Sequence, residues 1–593
     1  METTGFPMRA TFAACLMGCS LAMGAQTSIP ASQFVFKSTG AQVGADYNLW
    51  GYGYIGTFVV SQRTSTVTLK VQAAGQPAFG MWPRMGIHIG KNRSEFNVVG
   101  AAFKTYTARM TVPAGTTLVR IEFLNDAYDS TTSQDRNLLL RSLTVSGSPD
   151  AAVRLVNPTN SSDLKQTVFA AADTTIENDR KQDAFITVLN PSGRPFGKGQ
   201  SVHVHLARHA FNFGTAVPGV GGYWDAMWPN PYEQGVWFIF QAKILENFNL
   251  IEEENAGKWA YTEPTRWHPT MRYVDAILDF AQRHDMRVRH HNVLWGAQQP
   301  DWAVNLENSA LGSDPVAASQ AKTTLWDEIL YRIGYVVRQR SRKFQEVDGI
   351  NEASAGHQPV FLNIYGYAGI AAIYNACIEA ARASGSSAHV YFNEFSVFNS
   401  NSDMYGGWYL DFIHSVLNNG VPTSNQPMLG VGVQYYNIGG IDHDPVRIYQ
   451  TLANLGTLQL PISLTEFGIG GGFTSQAPQV LQDALWMMFG FPEATTFNCW
   501  GFWSQMMWVN DAAMYDANWN ITPTGMIWQQ MTGVKNWNLA GVPYWTTDLV
   551  LATDDLGRVN FRGFLGDYRL TSASSSGTVS LAAGVDRYRV LLK

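Results

Sequence analysis

The sequence predicts an α/β fold: a large domain built on a parallel sheet, preceded by a β-sandwich and flanked by short β-rich segments. From about residue 206 to 535, short apolar runs alternate with amphipathic stretches such as residues 274–283, a pattern typical of repeated βαβ units. Residues 30–147 show alternating strand patterns and no long helical stretch. Residues 536–593 again show short strand patterns. These observations together predict at least two domains.

Composition excludes several classes of protein before any motif is considered. The chain has 593 residues, of which 15% are charged and 13% aromatic, and its formal net charge is −6. A chain of this length and low charge is expected to form several folded domains with ample cores. A negative net charge provides no basic surface for nucleic acid. We therefore expect a folded, multidomain monomer with no nucleic-acid partner.

The first 25 residues have the pattern of a secretory signal peptide. Arg9 precedes an apolar run over residues 10–22, and small residues stand just before position 26. The run is too short to span a bilayer stably, so no transmembrane segment is predicted. We expect a secreted or periplasmic protein. A lipoprotein processed at Cys19 is the second interpretation.

The β-sandwich is predicted over residues 30–147. Residues 66–71 alternate between polar and apolar side chains, and residues 118–123 and 138–145 do so more loosely. The number of short strands without a helix indicates a sandwich rather than a mixed domain. The polar residues 148–165, which include Pro, Ser and Asn, predict a linker after it.

Oxygen-bearing side chains cluster in one loop of the predicted sandwich. Asn125, Asp126 and Asp135 supply amide and carboxylate oxygens, the ligands that Ca²⁺ prefers. Tyr128 and Trp82 could stack on a sugar ring beside such a cation. Two interpretations stay open: a Ca²⁺ site, or a turn capped by its own side chains. This loop resembles that of calcium-dependent xylan-binding modules.

Two glutamates follow apolar runs that have the form of buried strands. Glu466 stands near the centre of residues 460–472, just before a group of glycines, and Glu352 follows the run 344–350. Polar residues at the C-terminal ends of parallel barrel strands face the mouth of the barrel. Two such carboxyl groups are what a glycosidase requires on either side of a sugar bond.

The motifs at the strand ends resemble family 10 glycoside hydrolases, the retaining endo-β-1,4-xylanases. The match extends over roughly 300 residues and is specific because its motifs occur in order. It comprises Asn351-Glu352, Thr465-Glu466, Glu254-Asn255-Ala256-Gly257-Lys258-Trp259, Arg289 with His291, Trp295, Gln298, Pro300 and Trp302, Gly432-Val433-Gln434, and Trp500-Gly501 with Trp508. The resemblance implies a (β/α)8 TIM barrel catalytic domain over residues 206–535, with no cofactor required for catalysis.

The resemblance also implies roles for individual residues. Glu466 would be the nucleophile, Glu352 the acid/base, and Asn351 the partner of a sugar 2-hydroxyl. The other implied substrate-binding residues are Glu254, Asn255, Lys258, His291, Trp295, Gln298, Gln434, Tyr436, Trp500 and Trp508. The implied substrate is xylan or a related β-glycan.

The chain departs from the family pattern at four places, one of which is Ser504, where the family commonly has an Asp in the eighth-strand loop. Tyr436 stands where the family usually has a His that holds the nucleophile, and Gly296 replaces another His and is expected to open space. The loop 353–357 after the acid/base is unusual as well. These changes keep two alternatives open: a related glycosidase acting on another β-glycan or on short oligosaccharides, and a non-catalytic glycan-binding protein. Beside the barrel, residues 166–205 and 536–593 are expected to pair into one small sheet.

Overall fold

The computed structural model describes residues 27–218, 231–399, 405–533, 544–573 and 575–593, without the side chains of residues 231–234. The predicted signal peptide, residues 1–25, lies outside the described residues.

The N-terminal domain is a β-sandwich of two six-stranded sheets, as predicted. Strand β6 carries Val67, Leu69 and Val71 into the core between the sheets, so its side chains alternate with the period of two that the sequence showed. One sheet has the order β3-β4-β13-β6-β9 with β1 on β13, the other β14-β5-β10-β7-β8 with β2 on β5, and β11 pairs with β12. The strands are β1 Ser28–Pro30, β2 Phe36–Lys37, β3 Ala41–Val43, β4 Asp46–Leu49, β5 Gly53–Ser61, β6 Ser65–Gln76, β7 Arg84–Ile89, β8 Asn92–Asn97, β9 Lys104–Val112, β10 Gly115–Phe123, β11 Tyr128–Asp129, β12 Gln134–Asp135, β13 Asn137–Ser146 and β14 Arg154–Val156.

The structure corrects the predicted linker over residues 148–165. Strand β14 adds to the sandwich by pairing with β5, and helix α1, Ser161–Asp179, begins inside the predicted linker. The side chain of Asn160 accepts a hydrogen bond from the backbone N–H of Asp163 and caps this helix. The polar residues that suggested a linker therefore form the start of a helix. The segment 166–205 consequently begins with a helix and becomes β-rich only at β15, Lys181–Leu189, and β16, Ser201–His209.

The central domain is a closed barrel of eight parallel strand positions. Strand β17 pairs with both β18 and β25, and β19 pairs with both β18 and β21, which closes the ring. Every residue of β24 is buried, as expected for a strand covered on both faces. The strands are β17 Asn212–Val217, β18 Leu250–Glu253, β19 Arg287–His290 with its extension β20 Leu294–Trp295, β21 Glu346–Asn351, β22 His389–Glu394, β23 Leu429–Ile438, β24 Ile462–Gly470 and β25 Ala494–Cys499.

Helices surround the barrel and connect its strands. They are α2 Pro231–Asn247, α3 Trp259–Thr262, α4 Arg272–Arg283, α5 Asp301–Ala310, α6 Pro315–Ile333, α7 Val360–Ser384, α8 Gly407–Asn418, α9 Pro445–Leu455, α10 Ala477–Phe489 and α11 Pro523–Thr532. Among the described helices, α7 alone has the length and apolar composition of a membrane span. It is kinked at Gly366 and buries Ile370, Ile373 and Cys377 in the core. Core helices of soluble proteins have the same features, so α7 is weak evidence for a membrane span.

The segments that flank the barrel pair with each other, but in two sheets rather than the single sheet expected. One sheet has the order β27-β15-β30 and the other β26-β16-β28-β29. Each N-terminal strand thus lies between C-terminal strands. These are β26 Asp548–Ala552, β27 Arg558–Phe564, β28 Gly566–Ser572, β29 Ser575–Leu581 and β30 Arg587–Leu591.

The sandwich is fixed against the barrel by buried polar contacts. Arg120 of β10 is 4% exposed; it donates to the backbone oxygen of Ala453 at 3.0 Å and to the carboxylate of Glu493 at 3.0 Å. The hydroxyl of Tyr54 donates to the backbone oxygen of Gln450 at 3.2 Å. Because buried polar groups need hydrogen-bond partners, these contacts favour the observed position of the sandwich against the barrel.

Candidate active site

Glu352 and Glu466 lie at the same end of the barrel. Glu466 lies within β24, and Glu352 directly follows β21, so both are near the carboxyl ends of their strands. Glu466 is 5% exposed and Glu352 is half-buried. A barrel presents this end as its binding face, and the two carboxyl groups are close enough for the charge of one to raise the pKa of the other.

Two side chains from other strands of the barrel hold the carboxylate of Glu466. The hydroxyl of Tyr436 donates to Oε2 at 2.8 Å, and Nδ2 of Asn393 donates to Oε1 at 3.2 Å. Gly468 makes room for the phenol, because a Cβ at this position would lie 2.6 Å from the Tyr436 ring. Tyr436 therefore makes the contact that the sequence assigned to the family histidine. Asn393 was not predicted as a site residue, although its place at the end of β22 was a signal for it.

Two other side chains hold the carboxyl group of Glu352. The indole N–H of Trp295 donates to Oε2 at 2.9 Å, and Nε2 of Gln434 donates to Oε1 at 3.0 Å. Both residues were predicted to contact substrate, and both contact the acid/base candidate in this structure. The backbone of Glu352 has φ = +54°, the left-handed region that residues with side chains rarely adopt. This conformation turns the chain sharply out of β21.

The two glutamates titrate as a pair. Burial raises the pKa of both carboxyl groups, and the charge of Glu352 raises the pKa of Glu466 further. Together these effects raise the pKa of Glu466 to about 8, although the hydroxyl of Tyr436 and the charge of Lys258 act in the opposite direction. At Glu352 the hydrogen bonds from Gln434 and Trp295 lower the pKa, and the charge of Glu394 raises it. Carboxyl groups that interact in this way gain and lose protons as one system.

A polar wall beside the pair contains residues predicted to bind sugar. Nζ of Lys258 donates to Oδ1 of Asn255 at 2.9 Å and lies 4.8 Å from the centre of the Trp295 ring. Glu254 follows β18 directly, and burial raises the pKa of its carboxyl group. Gln298 is exposed at the rim. The predicted residues are thus brought to one side of the barrel mouth.

Aromatic rings border the pair on two sides. The ring of His291 lies 5.1 Å from Trp500 and 6.4 Å from Trp295, centre to centre. The ring of Trp508 lies 5.3 Å from that of Tyr436, at 70°, and Trp508 is 59% exposed. Exposed and half-buried rings at the mouth of a barrel offer flat apolar surface to a sugar.

Asn351 is held by amide groups on both sides. Its Oδ1 accepts from Nδ2 of Asn393 at 2.8 Å and from Nε2 of Gln434 at 3.4 Å. Since its oxygen is engaged, its amide N–H groups are oriented, and Asn351 can act as a hydrogen-bond donor toward a bound hydroxyl.

Beneath the pair lies a buried network centred on Arg289. Its guanidinium group binds the carboxylates of Glu252, at 3.2 Å, and of Glu346 and Asp348. The oxygens of Glu252 and Asp348 also approach His291 with a spacing that a metal ion could use. The arginine already supplies the positive charge there, so we assign this cluster a structural role in orienting His291. Burial lowers the pKa of His291 to about 4, so its ring is neutral at physiological pH.

Gly296 does not open space, contrary to the sequence expectation. A Cβ at this position would lie 2.8 Å from the backbone oxygen of Gln358 and 3.1 Å from Val360. The segment that follows Glu352 packs against Gly296 and fills the volume that the missing side chain leaves. The glycine therefore accommodates Gln358 and Val360, which follow the unusual loop 353–357.

The loop predicted to bind Ca²⁺ lies where the sandwich meets α8. Asn125 is engaged on both sides, because its Oδ1 accepts from the backbone N–H of Arg84 at 2.6 Å and its Nδ2 donates to the backbone of Trp82. Asn125 thus braces the loop. Oδ1 of Asp126 is buried and has no hydrogen-bond partner among the described residues. Burial, followed by the charge of Asp135, raises the pKa of Asp126 to about 7.

A residue of the barrel also faces this loop and was missed from the sequence. The charge of Asp411, on α8, raises the pKa of Asp126 further. The ring of Tyr52 stacks on that of His414 of α8 at 3.6 Å, and its hydroxyl donates to the backbone oxygen of Asp126. A half-buried carboxyl group whose Oδ1 has no donor, beside two further carboxylates, fits a cation.

Two family profiles match regions of this chain. Residues 232–527 match the profile of Glycosyl hydrolase family 10, and residues 68–155 match that of the Ca-dependent carbohydrate-binding module xylan-binding. The Anti-sigma-I factor RsgI6 of Acetivibrio thermocellus is 26% identical over 403 residues, which cover 68% of this chain and 46% of that protein. Endo-1,4-beta-xylanase 3 of Hypocrea jecorina is 24% identical over 288 residues, 48% of this chain and 75% of that protein.

One of the solved structures found to be similar to this chain has a low similarity score. Xylanase B from Clostridium stercorarium F9 has a TM-score of 0.45 and 20% identity, covering 54% of this chain and 96% of that one. The two profile matches fall on the barrel and on the sandwich, in the order in which the structure places these domains. The chain therefore contains a glycosyl hydrolase family 10 domain, which forms the barrel, and an N-terminal carbohydrate-binding module.

Proposed function

We propose that this protein is a secreted, retaining endo-β-1,4-xylanase. The observation that carries the proposal is the pair Glu352 and Glu466, which lie at the same end of the barrel with separate donors on each carboxyl group. The arrangement gives one carboxyl group the environment of a general acid and the other that of a nucleophile. Secretion rests on the signal-peptide pattern of residues 1–25.

The first step forms a covalent intermediate. The carboxylate of Glu466 attacks the anomeric carbon, and the glycosidic C–O bond breaks as Glu352 gives its proton to the departing oxygen. Tyr436 and Asn393 keep the attacking carboxylate in place with one hydrogen bond on each oxygen. The leaving sugar then departs with its hydroxyl group restored.

The second step releases the product. Glu352, now ionised, takes a proton from a water molecule as the water oxygen attacks the anomeric carbon. The bond between that carbon and Glu466 breaks, and the carboxylate of Glu466 is restored. The configuration at the anomeric carbon is inverted twice and so retained. Neither step uses a metal or an organic cofactor.

The sugar-binding side of the proposal rests on the residues around the pair. Asn351, whose oxygen is held by Asn393 and Gln434, would donate to the 2-hydroxyl of the reacting sugar. Trp500 and Trp508 would lie against the sugar on the side opposite Asn351 and leave little room for a hydroxymethyl group. This favours xylose over glucose.

A second candidate is a related glycosidase that acts on another β-glycan or on short oligosaccharides. The observation that favours it is the segment after Glu352, which packs on Gly296 and changes the wall on the leaving-group side. A non-catalytic glycan-binding role is disfavoured, because both carboxyl groups are present with hydrogen-bond donors.

For the N-terminal module we propose xylan binding with Ca²⁺. Asp126 and Asp135 would hold the cation, with Asp411 of the barrel near them, and Asn125 would brace the loop. When bound, the cation would neutralise these carboxylates and offer open coordination positions to a sugar diol. Asp129 instead caps its own turn, accepting from Thr131 and Thr132.

The test of the proposed function is chromatography of the products formed from xylan, carboxymethyl cellulose, mixed-linkage glucan and xylo-oligosaccharides. The proposal predicts xylo-oligosaccharides from xylan and no product with Glu466→Ala. Faster cleavage of either glucan than of xylan would favour the second candidate. Absence of products from every substrate would support a binding protein.

A further inference from the structure

The loop after Glu352 is closed by one buried carboxylate. Glu394, at the end of β22, is 1% exposed. Its Oε1 accepts from the backbone N–H of Ser354 at 2.7 Å, and its Oε2 hydrogen-bonds Nδ1 of His357. The two oxygens of a single side chain thus bind both ends of the loop 354–357.

His357 is fixed by more than this hydrogen bond. Its ring stacks on Phe395 with centres 3.7 Å apart and an angle of 16°. Its edge faces Trp408, the second residue of α8, at 5.2 Å. The imidazole therefore has one orientation, set by a carboxylate on one edge and by two aromatic rings.

The loop determines the conformation of Glu352. The backbone N–H of Glu352 donates to the oxygen of Asn393, and the backbone oxygen of Glu352 accepts from Gln358, both at 2.8 Å. Gln358 directly follows His357. Glu352 has the unfavourable left-handed conformation, φ = +54°, which these backbone hydrogen bonds stabilise. They thereby keep its carboxyl group within hydrogen-bonding distance of Trp295 and Gln434.

We propose that His357 is a positioning residue for the general acid, acting through Glu394 on the loop that holds Glu352. The inference rests on the proposed function, since it assigns Glu352 the acid/base role. A displaced acid protonates the departing oxygen less effectively. The rate of cleavage therefore falls most for a substrate with a poor leaving group, which needs that proton. A substrate with a good leaving group needs little protonation and tolerates the misplacement.

Two variants separate the hydrogen bond from ring packing. His357→Phe keeps the ring that stacks on Phe395 and removes the donor to Glu394. His357→Gln keeps an N–H donor and removes the aromatic ring. Phe fills the same volume, so this variant is expected to fold, and calorimetry of each purified protein verifies that it does.

The readout is kcat/KM on xylotetraose and on 2,4-dinitrophenyl β-xylobioside, the second having a good leaving group. We expect His357→Phe to lose about 10–100-fold on xylotetraose and less than about 3-fold on the aryl glycoside. His357→Gln should stay within about 3-fold of wild type on both. The control is His443→Ala, which breaks a similar contact, from Nε2 of His443 to Asp483 at 3.3 Å. It should not discriminate between the two substrates.

Several results would overturn the inference: equal losses for His357→Phe on both substrates, unchanged activity on both, or a defect in His357→Gln as large as that of His357→Phe. A change confined to KM for xylotetraose would also overturn it, because that result indicates sugar contact rather than positioning. Failure of the proposed function is distinct, since wild type would then cleave neither substrate.

Discussion

The two halves of the site hold their carboxyl groups in different ways. Glu466 lies inside β24, where every residue is buried, and its oxygens are held by side chains of the barrel strands β22 and β23. Glu352 follows its strand, has a left-handed backbone, and depends on the loop 353–358. The nucleophile side is thus fixed by the barrel itself, and the acid/base side by a segment attached to it. Substitutions should consequently affect the two sides differently.

The largest expected effect is on the nucleophile side. Glu466→Ala should lower kcat by about 10⁴-fold or more on every substrate, because no covalent intermediate can form. Steady-state rates on xylan and on an aryl β-xylobioside measure this. A loss of activity on xylan alone would show that Glu466 is not the nucleophile.

On the acid/base side the effect should depend on the substrate. Glu352→Ala should slow cleavage of xylan by about 10²–10⁴-fold, the usual contribution of general acid catalysis. The first step with an aryl glycoside, followed as a burst of released phenol, should be nearly unchanged because the phenolate leaves without a proton. If this burst slows as much as xylan cleavage does, Glu352 is not the acid.

A smaller effect is expected for the donor to the nucleophile. Tyr436→Phe removes one hydrogen bond to a charged group, about 1.5–3 kcal/mol, and should lower kcat by ~10–150-fold with little change in binding of uncleaved oligosaccharide. Tyr435→Phe is the matched control, because its hydroxyl faces His443 instead. Full activity of Tyr436→Phe would show that Asn393 alone holds Glu466.

Two further substitutions test the contact between Tyr436 and Glu466. Gly468→Ala should resemble Tyr436→Phe, since the added methyl group would lie 2.6 Å from the phenol ring and displace it. Tyr436→His should restore activity and add a titration near the imidazole pKa, about 6.5 when unperturbed. Activity of Gly468→Ala equal to wild type would mean that the phenol moves without consequence.

The smallest effect concerns the module. The folded-state pKa of Asp126, about 7, lies above its unfolded value, so without metal the stability falls as pH rises from about 4 to 7. Calcium must displace that proton, so its affinity, measured by calorimetry on the whole protein, should rise between pH 6 and 8. Asp126→Asn should abolish calcium binding and raise the Tm of the metal-free protein at pH 8. Calcium binding unchanged in Asp126→Asn would place the cation elsewhere.

The sequence predicted the strand-held half of the site better than the loop-held half. Glu466 lies in β24 and Gln434 and Tyr436 lie in the paired strand β23, so the closeness of their side chains follows from the predicted barrel. The space around Gly296 was predicted wrongly, because its occupant, Gln358, comes from another segment and only packing brings the two together.

The same distinction applies to the fold. The barrel and the sandwich follow from periodicity, but α1 was taken for a linker because Pro, Ser and Asn are common both in turns and at helix starts. Asp411 lies on a barrel helix and meets Asp126 only through the docking of two domains. Contacts between distant segments leave no periodic signal along the chain.

The central claim is that Glu466 forms a covalent bond with the sugar. Incubation with a 2-deoxy-2-fluoro-xylobioside carrying a good leaving group, followed by mass spectrometry of the intact protein and its peptides, tests this claim directly. We predict one glycosyl group per chain, located at Glu466 in wild type and in Glu352→Ala, and none in Glu466→Ala. Labelling of Glu466→Ala, or a label on any other residue of the wild type, would contradict it.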